Sequence, residues 1–123
     1  MTQEEKDMII NAGYDLNGAL ARFVNNEMLF LTFLKKFPQD EHYAEIYPNI
    51  EKKDYDEAYK AAHAIKGIAG NLGLTPVFDT VNELLAAIKN KDTIEDFDNK
   101  MVTLYNSFDE EFKKASDIIS SIQ

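Results

Sequence analysis

The residues of this chain best suited to chemistry are His63, Lys66 one helical turn on, and Gly67 beside it. An imidazole titrates near neutrality, so one of its nitrogens is free to act as a nucleophile under ordinary conditions. An ammonium one turn away can hold charge on the oxygens of a phosphoryl group, whose transfer asks mainly for in-line positioning and charge stabilisation. These residues belong to the stretch Tyr59-Lys-Ala-Ala-His-Ala-Ile-Lys-Gly-Ile-Ala-Gly-Asn-Leu-Gly73. Read as a helix, at about 100° per residue, it gathers Ala58, Ala61, Ala62, Ile65, Ile68, Ala69 and Leu72 into one broad apolar stripe. His63 falls almost opposite, with Asp56, Lys60, Lys66, Gly67 and Gly70 within roughly 60° of it. Each glycine costs about 1 kcal/mol relative to alanine in a helix interior. Neither lies on the core stripe, so close internal packing is not the evident reason for them. A surface left bare beside the imidazole would let a partner's backbone or a phosphoryl group come close to it. Gly67 and Gly70 are therefore expected to give access, and Lys60 to flank the ring from the other side as a docking residue.

His63-Ala-Ile-Lys66-Gly67-Ile-Ala-Gly-Asn-Leu-Gly73 closely resembles the His-x-x-Lys-Gly-x-x-x-x-x-Gly signature of histidine-containing phosphotransfer (HPt) domains, the intermediates of two-component phosphorelays. The resemblance extends upstream to Gly13-Tyr-Asp15, Leu20, Arg22-Phe23, Asn26, Leu34-Lys-Lys-Phe37 and Asp54, and downstream to Leu84-Leu85. It covers the chain from about residue 13 to the end of the last helix. It implies that His63 accepts and donates a phosphoryl group and that Lys66 stabilises its charge. The partners it implies are the receiver domains of response regulators and a hybrid sensor histidine kinase. It also implies that Mg²⁺ and the metal-binding acidic pocket belong to the receiver, with no metal or cofactor on this chain.

The elements that must position His63 can be read from caps and periodicity. Thr2-Gln-Glu-Glu5 forms a capping box, and Gly13 is the expected stop of the first helix. Asp15 can cap a second short helix, and Asn26 a third whose Leu29, Phe30, Phe33, Leu34 and Phe37 make the heaviest aromatic stripe, assigned to the core. Pro38 and Pro48 are expected to interrupt or bend the stretch from 38 to 52. Asp54-Tyr-Asp-Glu57 reads as a second capping box, opening the motif helix, and Gly73 as its left-handed close. Thr75-Pro76 then supplies an N-cap and first residue for the next helix, and Thr93 a cap for the last. In that last helix Ile94, Phe97, Met101, Leu104, Phe108, Phe112, Ala115 and Ile119 form a seam suited to bundle packing. The expected fold is all-α: an antiparallel four-helix bundle over about 27–121, with short additional N-terminal helices over about 3–24, in a single domain spanning 1–123.

Composition narrows the function classes. A chain of 123 residues can bury one core. The net charge of −9 and a single arginine, Arg22, argue against nucleic acid as a partner, because phosphate-backbone binding relies on clustered cations. The absence of cysteine excludes disulfides and thiol chemistry. No apolar run is long enough to span a bilayer and the N-terminus is not signal-like, so the chain reads as cytoplasmic, without a membrane partner. No Gly-rich phosphate loop is present, so the chain reads as a phosphoryl carrier and not as a kinase or other enzyme. His42 lacks a second ligand at helical spacing and reads as a surface histidine, and Asp109-Glu110-Glu111 as a solvated turn. Two function classes stand: a phosphorelay intermediate acting through His63, and a helical binding module that docks a signalling partner without phosphotransfer. The intact His63, Lys66 and Gly67 favour the first. Met1 and a capped first helix favour a free-standing protein. A polar His63 face, with the apolar seams needed inside, favours a monomer.

Overall fold

The computed structural model describes residues 1–123, and every element in it is helical. Three short helices come first: α1 (Gln3–Asn11), α2 (Leu16–Arg22) and α3 (Glu27–Lys36). They are followed by α4 (Glu41–Glu51), α5 (Tyr55–Leu72), α6 (Thr75–Lys89) and α7 (Phe97–Ser120). Single 3-10 turns at Phe37–Gln39 and Lys91–Thr93 precede α4 and follow α6.

Side-chain oxygens start most of these helices, and each such cap is worth about 1 kcal/mol. Thr2 and Glu5 form a complete box, with the Glu5 N–H donating to Thr2 Oγ1 (3.1 Å) and the Thr2 N–H to Glu5 Oε1 (2.8 Å). Asp15 accepts from the Gly18 N–H, and Asn26 from the Leu29 N–H, both at 3.0 Å. Asp54 accepts from the Glu57 N–H at 3.3 Å, but the Glu57 carboxylate turns to Lys60, so only half of the expected box forms.

Two expected caps are corrected. Thr75 is not an N-cap: α6 already includes it, its N-cap is Leu74, and the Thr75 hydroxyl turns back to the Gly73 carbonyl. Thr93 does not start the last helix. It closes the second 3-10 turn by donating to the Asn90 carbonyl (2.8 Å), and the chain stays extended at Ile94. The last helix begins only at Phe97, after a left-handed Asp96 (φ 52°). Pro38 does interrupt the chain, in a 3-10 turn, but Pro48 lies inside α4 without ending it. The carbonyl that loses its helical partner at Pro48 belongs to Ala44, an exposed residue that water can satisfy.

Aromatic contacts fix how the longer helices run past one another. Tyr43 stacks on Phe112 (3.7 Å between centroids, 1° between planes), and Tyr47 packs on Tyr105 (4.9 Å), so α4 and α7 run in opposite directions. The end of α5 meets the start of α6 at Gly70 and Phe78, while the start of α5 lies beside the end of α6 at Tyr59 and Lys89. Tyr55 packs edge-on against Phe97 at 4.8 Å. The core these helices enclose holds 29 apolar residues and no polar or charged one.

The third helix departs from expectation. Phe30, Leu34 and Phe37 are buried, but Leu29 and Phe33 are 43% and 47% exposed. Residues one apart on a helix point about 100° away from each other, so the stripe is really two, and only Phe30, Leu34 and Phe37 face the core. The apolar seams are therefore not all used inside.

Gly73 ties the ends of α2, α5 and α6 together. It is left-handed (φ 71°), and the following Leu74 N–H donates to the Ala69 carbonyl at 2.9 Å, the pattern that closes a helix at glycine. The Asp15 N–H donates to the Gly73 carbonyl at 2.8 Å. A Cβ on Gly73 would stand 2.4 Å from the Asp15 carbonyl oxygen and 3.1 Å from Ala19 Cβ. Gly73→Ala combines a left-handed alanine with a backbone collision, and is expected to destabilise the fold by about 2 kcal/mol or more, read as a lower urea midpoint.

Burial pushes the Tyr14 and Tyr55 phenols up to about 12, the second aided by its hydrogen bond to Asp98 (2.6 Å). Burial raises Tyr105 too, in company with Tyr43 and Asp109. A raised phenol keeps its proton in the folded chain after the unfolded chain has lost it. That stabilisation is complete below pH 10 and is lost as pH rises towards about 12. Chemical denaturation across that range should show stability falling steeply, and Tyr55→Phe should reduce the slope.

Candidate functional site

His63 stands in the middle of α5, exposed on the side away from the buried Ala58, Ala61, Ala62, Ile65, Ala69 and Leu72. Its ring stacks on that of Tyr59, one turn earlier (6.0 Å between centroids, 22° between planes). No carboxylate holds it, whereas His42 is tied to Asp40 through Nδ1 at 3.0 Å. The same Asp40 caps α4 through the His42 N–H, a cap unannounced by any Glu or Gln three residues on.

The other expected site residues gather on this face in different ways. Gly67 is exposed, and a Cβ placed on it would meet nothing within 4 Å. Gly70 is half-buried, and a Cβ there would touch the Phe78 ring at 3.4 Å. The open backbone is thus Gly67's, while Gly70 lies where α6 crosses. Lys66 is half-buried, its Nζ resting over the Phe78 ring at 5.8 Å from the centroid. Lys60 is exposed and ion-paired to Glu57 at 3.1 Å. The hydrogen bond it donates to Glu57 is also the main reason its ammonium titrates above the ordinary lysine value.

Two residues outside the expected set join the site. Tyr59 is half-buried beneath His63, and the Lys89 Nζ lies 5.8 Å from the Tyr59 centroid. The four-residue spacing of Tyr59 and His63 was a usable signal, since such pairs meet on a helix. Lys89 gave none, because only the opposed run of α5 and α6 brings it there.

Beyond Gly70, a cleft of about 200 Å³ is lined by Asp15, Arg22, Gly70, Gly73, Thr75 and Phe78. The Arg22 Nε donates to the Asn71 carbonyl at 3.1 Å, so the only arginine helps fasten α2 to the end of α5. On the other flank of α5, an apolar groove of about 480 Å³ runs between Phe23, Phe33, Phe37, Ile68 and Leu72. Val24 and Met28 are also exposed, with Val24 held in the left-handed region (φ 56°). The single-turn spacing that marked the α3 stripe could not separate this surface from the core.

No group of three or more His, Asp or Glu side chains is placed to hold a metal ion, and no helix is long and apolar enough to cross a membrane. The chain matches no protein-family model, no curated protein and no solved structure.

Because Gly67 is helical and faces open space, Gly67→Ala is expected to raise stability by about 0.5–1 kcal/mol, seen as a higher urea midpoint. A fall in stability would show instead that the helix surface is occupied there.

Proposed function

We propose that this chain is a histidine phosphotransfer protein of a two-component phosphorelay, carrying a phosphoryl group on His63 between receiver-domain aspartates. The observation that carries the reading is an exposed imidazole, held by no carboxylate, on a core-packed helix, one turn from Lys66 and beside a backbone opening at Gly67. In this reading the chain over about 27–121 forms an antiparallel four-helix bundle of the HPt type, with α1 and α2 across one end. The protein works in the cytoplasm as a monomer, and a hybrid sensor histidine kinase feeds its relay.

The step is a displacement at phosphorus. A ring nitrogen of neutral His63 attacks the phosphorus of a receiver's aspartyl phosphate. The N–P bond forms as the P–O bond to the aspartate breaks, and the electron pair leaves with the carboxylate. The other ring nitrogen keeps its proton, so the phosphorylated ring carries a positive charge until that proton is lost. Return of the group to a second aspartate reverses these changes. Mg²⁺ in the receiver's acidic pocket supplies most of the charge stabilisation. Lys66, released from the Phe78 ring, adds a positive charge from this side. The chain therefore contributes a nucleophile and a docking face, and is a carrier, not an enzyme. Exposed Phe33, in the groove it lines with Ile68 of α5, offers the receiver apolar contact area.

The test is incubation with a ³²P-labelled phosphoreceiver and Mg²⁺. Acid-labile, alkali-stable label is expected on the wild type and absent from His63→Gln. Gly67→Ala should accept label more slowly while melting no lower than the wild type. A protein that binds several receivers and takes label from none would instead be a docking module without phosphotransfer.

A further inference from the structure

We infer that Tyr59 is a positioning residue for His63, and that Lys89 holds Tyr59 in place from the neighbouring helix. The inference rests on the phosphotransfer reading for its consequence, although the contacts themselves do not.

Helical side chains lean back over the turn that precedes them. The ring of His63 therefore lies over residue 59, and what stands there decides how far it can swing. Tyr59 presents a flat face, nearly parallel to the imidazole and offset from it (6.0 Å, 22°), the arrangement aromatic pairs favour. Tyr59 is itself half-buried, and the Lys89 ammonium lies over its ring at 5.8 Å. A chain of contacts thus runs from α6 through Tyr59 to the imidazole.

Nothing polar duplicates this restraint. A histidine that must present one nitrogen is commonly oriented by a carboxylate or carbonyl on the other. His42 has such a partner in Asp40, and His63 has none. The stack is what remains to limit the rotation of the His63 ring. Limiting it matters because an in-line attack tolerates little misplacement of the nucleophile. The stack also changes in strength during the step. As the N–P bond forms the imidazole becomes cationic, and a cation over a tyrosine face is attracted more than a neutral ring. Tyr59 thus favours the phosphorylated ring over the free one without touching the phosphoryl group.

The test compares the wild type with Tyr59→Leu, Tyr59→Phe and Lys89→Met, each checked for unchanged far-ultraviolet circular dichroism. The chain has two histidines, so NMR spectra of the ring protons, assigned with His63→Gln, report His63 directly. The His63 ring protons should be shifted upfield by the Tyr59 ring current, keep that shift in Tyr59→Phe and lose it in Tyr59→Leu. Phosphoryl loading from phosphoramidate, a donor too small to need docking, should fall about ten-fold in Tyr59→Leu. It should stay within about two-fold in Tyr59→Phe and fall about two- to three-fold in Lys89→Met. With a phosphoreceiver as donor, the maximal transfer rate should fall and the half-saturating receiver concentration should hold. A Tyr59→Leu protein with wild-type ring shifts or wild-type loading would overturn the inference. The ring shifts are read whether or not any receiver transfers phosphate. A chain that loads from phosphoramidate with this dependence, yet takes nothing from receivers, would sink the relay reading and leave the positioning role standing.

Discussion

At Gly73 the chain turns left-handed with the Asp15 carbonyl oxygen only 2.4 Å from where a side chain would begin. No residue with a Cβ fits there without moving one helix against another. The consequences reach in both directions along the chain. Asp15 is at once the residue that approaches Gly73, the donor of an N–H to its carbonyl, and the cap of α2. The Gly73–Leu74 turn reverses α5 into α6, bringing Phe78 beside Gly70 and Lys89 over Tyr59. The phase of α5 relative to its neighbours, and hence the side from which His63 emerges, depends on this one approach.

Alanines make the rest of that phase possible. Ala58, Ala61, Ala62 and Ala69 are buried on α5, and their small side chains let neighbouring helices pack close to its backbone. The core they join contains no polar residue beyond its tyrosines, so apart from links such as Tyr55 to Asp98 it has little power to specify a register through hydrogen bonds. Register comes instead from caps, from the left-handed turns at Gly13, Lys53 and Gly73, and from the aromatic ladder between α4 and α7. A helix fixed at its ends and along its inner face can present a side chain in its middle without a supporting polar network.

The sequence made the motif helix legible because its signals agree: an aspartate cap, an unbroken apolar stripe and a terminal glycine. Thr2, Asp15 and Asn26 could be read as caps for the same reason. The failures came where one signal admitted two outcomes. Thr75 and Thr93 are cap-type residues, yet Leu74 and Asp96 start those helices, because extended and left-handed backbone nearby already sets where helix can begin. Leu29 and Phe33 carry the same chemistry as Phe30 and Leu34, and only the position of neighbouring helices decides which pair is covered. Within the site, His63, Lys66 and Gly67 were visible from spacing. That Gly70 meets Phe78 and Tyr59 meets Lys89 depends on how α5 and α6 cross, which no local pattern encodes.

On the phosphotransfer reading, the distribution of cations is what lets an acidic chain serve an anionic group. The net charge is −9, and Asp56 and Glu57 stand in the first turn of α5, where the helix dipole favours them. Lys60 is matched to Glu57, so its charge is largely compensated. Lys66 and Lys89 rest on aromatic rings instead of carboxylates. A lysine held by a carboxylate brings that negative charge with it, which a phosphoryl group would feel at once. A lysine held by a ring brings no negative charge and gives up only about 0.5–1 kcal/mol on leaving an exposed aromatic face. The arrangement keeps the Lys66 charge one turn from His63 without a neutralising partner until an anion competes for it, while Lys89 stays on Tyr59. On the phosphotransfer reading, this makes the phosphorylated state one that the surface is already prepared to accept, while the rest of the chain stays acidic.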